Sequence, residues 1–181
     1  MVTGEGFEPG AQALGEAKAF LRVVGEEEDA LLERLVGAAG AQCEAFTGRV
    51  LLAREFSETL AASAAWRRLG RGPVRAITGV ESLRADGLAA ALPVSAFAID
   101  INARGDGWVR VSDAGGATRV RVAYQAGLAE VWADLPDGLR QGIIRLVAQL
   151  YAHRDGESGG PPPAAVTALW RPWRRIGLRL R

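Results

Sequence analysis

The sequence predicts an α+β protein: a core of four helices, two N-terminal and two C-terminal, carrying an inserted antiparallel β-meander. Three observations predict it. Apolar residues recur at three- and four-residue spacing at both ends of the chain, they alternate singly through the middle, and glycine-rich turns punctuate the alternating runs. The boundaries that follow are residues 1–49 for the N-terminal helix pair, 50–133 for the inserted β region, and 134–181 for the C-terminal helices and basic tail that complete the core.

Taken in order, residues 14–24 read as a short helix with Leu14, Ala17, Leu21 and Val24 on one face, stopped by Gly25. Residues 26–46 form the clearest N-terminal helix. Leu31, Leu32, Leu35, Val36, Ala39, Cys43 and Phe46 line its apolar face, Glu26 to Asp29 sit where the helix dipole favours negative charge, and Gly48 suits a left-handed cap. From residue 50 the period falls to two. Phe97, Ile99 and Ile101, then Val109 and Val111, then Val120, Val122 and Tyr124 mark strands, with Gly105-Asp-Gly107 and Gly115-Gly116 as turns between them. Residues 50–59 and 73–83 are weaker strand candidates. The helical period returns over 136–154 through Leu139, Ile143, Leu146, Val147, Leu150 and Tyr151, a Gly/Pro linker follows, and residues 164–170 form a last short helix.

Composition narrows the function. With 181 residues the chain fits one ordinary domain or a small helical domain with an insertion, and no run approaches the roughly 20 apolar residues of a membrane span. The first residues lack the pattern of a secretory signal, so the chain is expected to stay in the cytoplasm that makes it. One cysteine, Cys43, and one histidine, His153, rule out a disulfide framework and a Cys/His zinc cluster within one chain. A nucleophile needs a base, and His153 sits at a helix end where the dipole already accounts for it. No phosphate-binding glycine loop occurs. The chain therefore reads as a non-enzyme without cofactor or metal. Net charge is +1 but polarised: residues 1–60 hold 5 basic and 11 acidic side chains, leaving 17 and 10 for the remainder.

Two features suit binding. Trp170, Arg171, Trp173, Arg174, Arg175, Arg179 and Arg181 crowd the C-terminus, and tryptophan and arginine dominate interface hot spots. The bland reading is that both tryptophans cap the domain's own core. The small face at Gly37, Gly40 and Ala41 admits close approach by another helix, within the subunit or from a neighbour.

The run Val120-Arg-Val-Ala-Tyr-Gln-Ala-Gly-Leu128, followed by Leu135-Pro-Asp-Gly-Leu-Arg-Gln-Gly-Ile-Ile-Arg-Leu-Val-Ala-Gln-Leu-Tyr-Ala-His-Arg154, resembles the head-tail connector (adaptor) proteins of tailed phages. Ala17-Lys-Ala-Phe-Leu-Arg-Val23 and Glu28-Asp-Ala-Leu-Leu32 are similar to that family's opening helix pair, and Leu169-Trp-Arg-Pro-Trp-Arg-Arg175 to the longer adaptors of prophages and gene transfer agents. The resemblance implies a virion structural protein: a homo-oligomeric ring, commonly of twelve subunits, docked beneath the portal protein. Such a ring extends the DNA channel toward the stopper or tail, in the neck of a particle assembled in the bacterial cytoplasm. It implies that residues 170–181 engage the portal, that DNA passes without sequence specificity, and that no membrane is involved. The alternative is a DNA-binding accessory protein that uses the Arg/Trp-rich tail on phosphates and bases.

Overall fold

A computed structural model describes residues 1–4, 6–84, 87–153 and 160–175. The chain is α+β, with four α-helices and antiparallel sheets among the described residues. Its contacts divide it into two units. One comprises residues 6–52 and 129–181 and holds the helices; the other comprises residues 1–5 and 53–128 and holds the strands.

The helical unit is built from α1 (Gly10–Leu21), α2 (Asp29–Thr47), α3 (Asp137–Ala152) and α4 (Ala164–Trp170). Helix α1 ends earlier than its apolar pattern suggests. Arg22 adopts the left-handed conformation, with φ of 58°, and its N–H bonds back to α1 carbonyls, so Val24 falls outside the helix and is 92% exposed. The buried face of α1 consists of Ala13 and Ala17, small enough for close packing. In α2, Leu32, Val36, Ala39 and Cys43 are buried as their spacing requires, while Leu31, Leu35 and Phe46 of the same expected face are half-buried, and Gly48 caps the helix at a φ of 68°. Only Asp29 of the acidic run lies in the first turn; Glu26 and Glu27 precede the helix on an exposed turn. Lys18 bridges that turn to α1, bonding the Gly25 carbonyl and pairing with Asp29 at 2.5 Å. Helix α3 presents Leu139, Ile143, Leu146 and Val147 to this core, and Arg140 on its flank reaches Glu16 of α1 at 3.1 Å.

In the strand unit, β1 (Val2–Gly4), β2 (Arg54–Ala61), β8 (Arg119–Ala126), β4 (Val74–Leu83) and β5 (Ala89–Ala91) form a five-stranded sheet in that order. A second sheet has the order β3 (Arg67–Arg68), β7 (Gly107–Val111), β6 (Phe97–Ile101). All strand pairs are antiparallel, but the order departs from the sequential one of a meander because β8 inserts between β2 and β4. Alternation explains the choice of faces: Val120, Val122, Tyr124 and Ala126 of β8 are buried while Arg119 and Arg121 between them are exposed. Tyr124 stacks on Phe56 at 5.8 Å in the core of this unit. In β6 the alternating Ile99 and Ile101 stay 44% and 37% exposed, so their alternation marks an edge strand and not a buried one.

Chain entry to and exit from the strand unit meet at one place in the helical unit. The Ala129 N–H donates to the Leu51 carbonyl at 3.1 Å, and Leu52 and Ala129 form a parallel bridge.

Candidate functional site

The described part of the C-terminal segment, to Arg175, packs against α2 and α3, and this corrects part of the expectation for it. Val166 and Trp170 lie four residues apart on α4 and both are buried, as one face of a helix dictates. Trp170 has no exposed surface. Its ring packs on Phe46 with centroids 5.9 Å apart, and its Nε1 donates to the Leu139 carbonyl at 3.4 Å. The slot exists because Gly142 has no side chain: a Cβ there would stand 2.2 Å from the Trp170 Nε1. Trp170 is a core residue and cannot anchor a partner from the surface.

Beyond it a single 3-10 turn, Arg171–Trp173, carries the chain back over the end of α2. Arg49 Nε donates to the Trp173 carbonyl at 2.8 Å, the Arg175 N–H donates to the Thr47 carbonyl at 2.7 Å, and the Arg174 guanidinium lies 5.5 Å from the Phe46 ring centre. Arg171 and Arg174 are exposed, Trp173 and Arg175 half-buried. Arg179 and Arg181 lie outside the described residues.

The small face of α2 is divided. A Cβ on Gly40 would meet the Phe7 ring at 2.1 Å, so this glycine packs within the subunit, under a phenyl group that also contacts Trp132 edge-on. Gly37 lines a groove of about 450 Å³ with Phe7, Pro9, Leu14 and Val36, and Ala41 is exposed.

Titratable groups show where chemistry is and is not supported. His153 is exposed, with Nδ1 2.8 Å from the Gln149 carbonyl oxygen at the end of its own helix. Burial, then the nearby Glu44 carboxylate, pushes the Cys43 thiol far up, so it stays protonated and unreactive. The buried Glu58 carboxylate accepts the Gly70 N–H at 2.8 Å and the Tyr124 hydroxyl at 3.2 Å, pinning the turn after β3 to the sheet. Burial foremost, and then Glu58, holds the Tyr124 hydroxyl in its neutral form. Among the described residues no group of three His, Cys, Asp or Glu is placed to hold a metal, and no helix is long and apolar enough to cross a membrane.

One exposed feature escaped the sequence reading. Register places Arg68 opposite Trp108 and Trp108 opposite Asp100 on the outer face of the three-stranded sheet. Trp66, 43% exposed, joins them, with the Arg110 guanidinium 5.0 Å from its ring centre. The signal was the alternation of Trp108 and Arg110 with Gly107, Val109 and Val111, whose polar phase carries an aromatic ring.

No protein-family model matches the chain, and no curated protein matches it. Solved structures do. A chain from the neck of an empty gene transfer agent (GTA) particle, computed with C6 symmetry, is 26% identical with a TM-score of 0.79, the alignment covering 100% of this chain and 98% of that one. A chain from the virion of a native GTA particle is 25% identical with a TM-score of 0.77, at the same coverage. A third, from the neck of a native GTA particle computed with C12 symmetry, is 25% identical with a TM-score of 0.74, again covering 100% and 98%. Over its whole length, then, the chain has the fold of a gene transfer agent neck component, in agreement with the head-tail connector family that its sequence resembles.

Proposed function

We propose that this chain is a structural head-tail connector (adaptor) subunit of a gene transfer agent or phage-like particle. It forms a ring, of twelve copies by the family resemblance, beneath the portal, and extends the DNA channel toward the stopper or tail. The observation that carries this is the full-length likeness to chains of symmetric GTA necks. A structural role without catalysis accords with the same likeness and with a lone histidine spent on its own helix end. In this reading the helical unit is the connector core and the strand unit is its insertion.

Arg171, Trp173, Arg174 and Arg175, followed by Arg179 and Arg181, form the surface we assign to the portal, with Trp170 supporting it from beneath. Gly37 and Ala41 remain the positions where a neighbouring subunit's helix comes close; Gly40 is taken by Phe7. The DNA-binding alternative needs a tail whose arginines are available to phosphates, and Arg174 over Phe46 together with the buried Trp170 favours a built surface over a loose polycation. Electron microscopy of the protein mixed with portal-bearing heads tests the proposal. Ring density under the portal is expected, and protein that coats DNA but leaves the portal bare overturns it.

A further inference from the structure

We propose that the outer face of the three-stranded sheet, centred on Trp66 and Arg110, is one half of a contact between neighbouring copies of this chain, in addition to the approach at Gly37 and Ala41. The other half is the exposed turn between α1 and α2, which offers Val24, Glu26 and Glu27. The inference rests on the ring reading above and adds the surfaces that would close the ring.

The face has the composition of a binding hot spot: Trp66 is 43% exposed and Trp108 half-buried beside it, with Arg68 and Arg110 among the rings. The Arg110 guanidinium is stacked over Trp66, 5.0 Å from its ring centre. Stacking occupies the flat of a guanidinium and leaves its edge N–H groups for a carboxylate. Fixing the side chain beforehand removes part of the entropy lost on binding. The complement is a segment with carboxylates next to an apolar side chain. Nucleic acid fits less well, because carboxylates stand among the arginines: Asp100 is opposite Trp108, and Asp106 pairs with Arg68 at 2.9 Å.

The chain itself supplies such a segment. Val24 is 92% exposed just past the left-handed cap of α1, and Glu26 and Glu27 follow it, both exposed. Glu130 and exposed Val131 are a weaker match, offering a single carboxylate, on a residue that already has a partner within the chain. Because face and turn are different patches, their contact is head-to-tail, and repetition of such a contact under rotation closes a ring. Chains of the same fold occur in necks computed with C6 and C12 symmetry.

Two neutralised variants test this by sedimentation velocity: Trp66→Ser with Arg110→Ser, and Val24→Ser with Glu26→Ser and Glu27→Ser. Wild type is expected to assemble into a closed oligomer. Each variant alone should need at least tenfold more protein to assemble, whereas their equimolar mixture should stop at a dimer, since one intact face meets one intact turn. Arg110→Glu combined in one chain with Glu26→Arg and Glu27→Arg should recover assembly. Oxidation of a Val24→Cys, Arg110→Cys chain should give an inter-subunit ladder, with native Cys43 buried and inert. If either neutralised variant assembles as wild type does, the ring is built on other surfaces and this contact is wrong while the ring reading stands. A wild type that stays monomeric at every concentration and also gives no ring on portal-bearing heads overturns both. Variants that still assemble but lose retention on DNA would assign the face to nucleic acid instead.

Discussion

Gly142 acts through the side chain it lacks. Its missing Cβ is the space that the Trp170 indole fills, so Gly142→Ala must displace a fully buried ring that is also held by Phe46. An overpacking cost of about 1–3 kcal/mol is expected, read as a lowered urea midpoint with unchanged m-value. Gly40→Leu should cost about as much, through Phe7. Tyr124 gives a pH signature. Its folded-state pKa lies above the unfolded value of about 10, so its contribution is complete below that pH and is lost as pH rises through the folded value. Stability should therefore fall in alkali above about pH 10, and Tyr124→Phe should flatten that part of the pH profile at some cost near neutrality, where Glu58 loses a donor. At this scale the sequence was ambiguous for a physical reason. Tryptophan beside arginine has the same composition whether it caps a core or binds a partner, and only the slot at Gly142, 28 positions earlier in the sequence, decides between them for Trp170.

Among the elements, α4 and the turn after it behave as one piece of core and not as a tail that waits for a partner. Truncation after Leu169 removes Trp170 along with the bonds from Arg49 and to Thr47, and should destabilise the helical unit by about 3–5 kcal/mol, as loss of a buried tryptophan does. Truncation after Arg175 keeps all of these while taking away Arg179 and Arg181. Reduced attachment of that second variant to portal-bearing heads, with normal melting, would locate portal binding in the last residues. The helices were legible because α2, α3 and α4 carry unbroken apolar spacing. Helix α1 was overread at its C-terminal end, since Val24 continues the period after the backbone has turned left-handed at Arg22. Strands β1 and β3 were missed: at three and two residues they hold no period of their own and exist only through their partners, β2 and β7.

For the molecule as a whole, fold class was readable because the change of period from helical to alternating and back survives any detail of topology. Strand order was not, since alternation states which face a residue takes and nothing about its neighbour; β8 could lie between β2 and β4 or beyond them with the same pattern. Native mass spectrometry of the assembled protein should give twelve times the 19.1 kDa chain mass if the resemblance carries over, and another multiple would correct the count while leaving a ring.

The hydrogen bond from Ala129 to Leu51 has an evolutionary consequence. Where a chain leaves and rejoins a body at a single bridge, the length between those points is nearly free to vary, because closure entropy grows only with the logarithm of the loop. Genes for such a protein could gain, exchange or shed the entire strand module without redesigning the helices, and selection could act on the two halves separately. Replacing residues 53–128 with a short glycine turn, and dropping residues 1–5 that pair with them, should leave the helical signal in circular dichroism and its cooperative melting in place. Relatives in other particles would then differ most in what they carry between those two residues and least in the helices that hold the bridge.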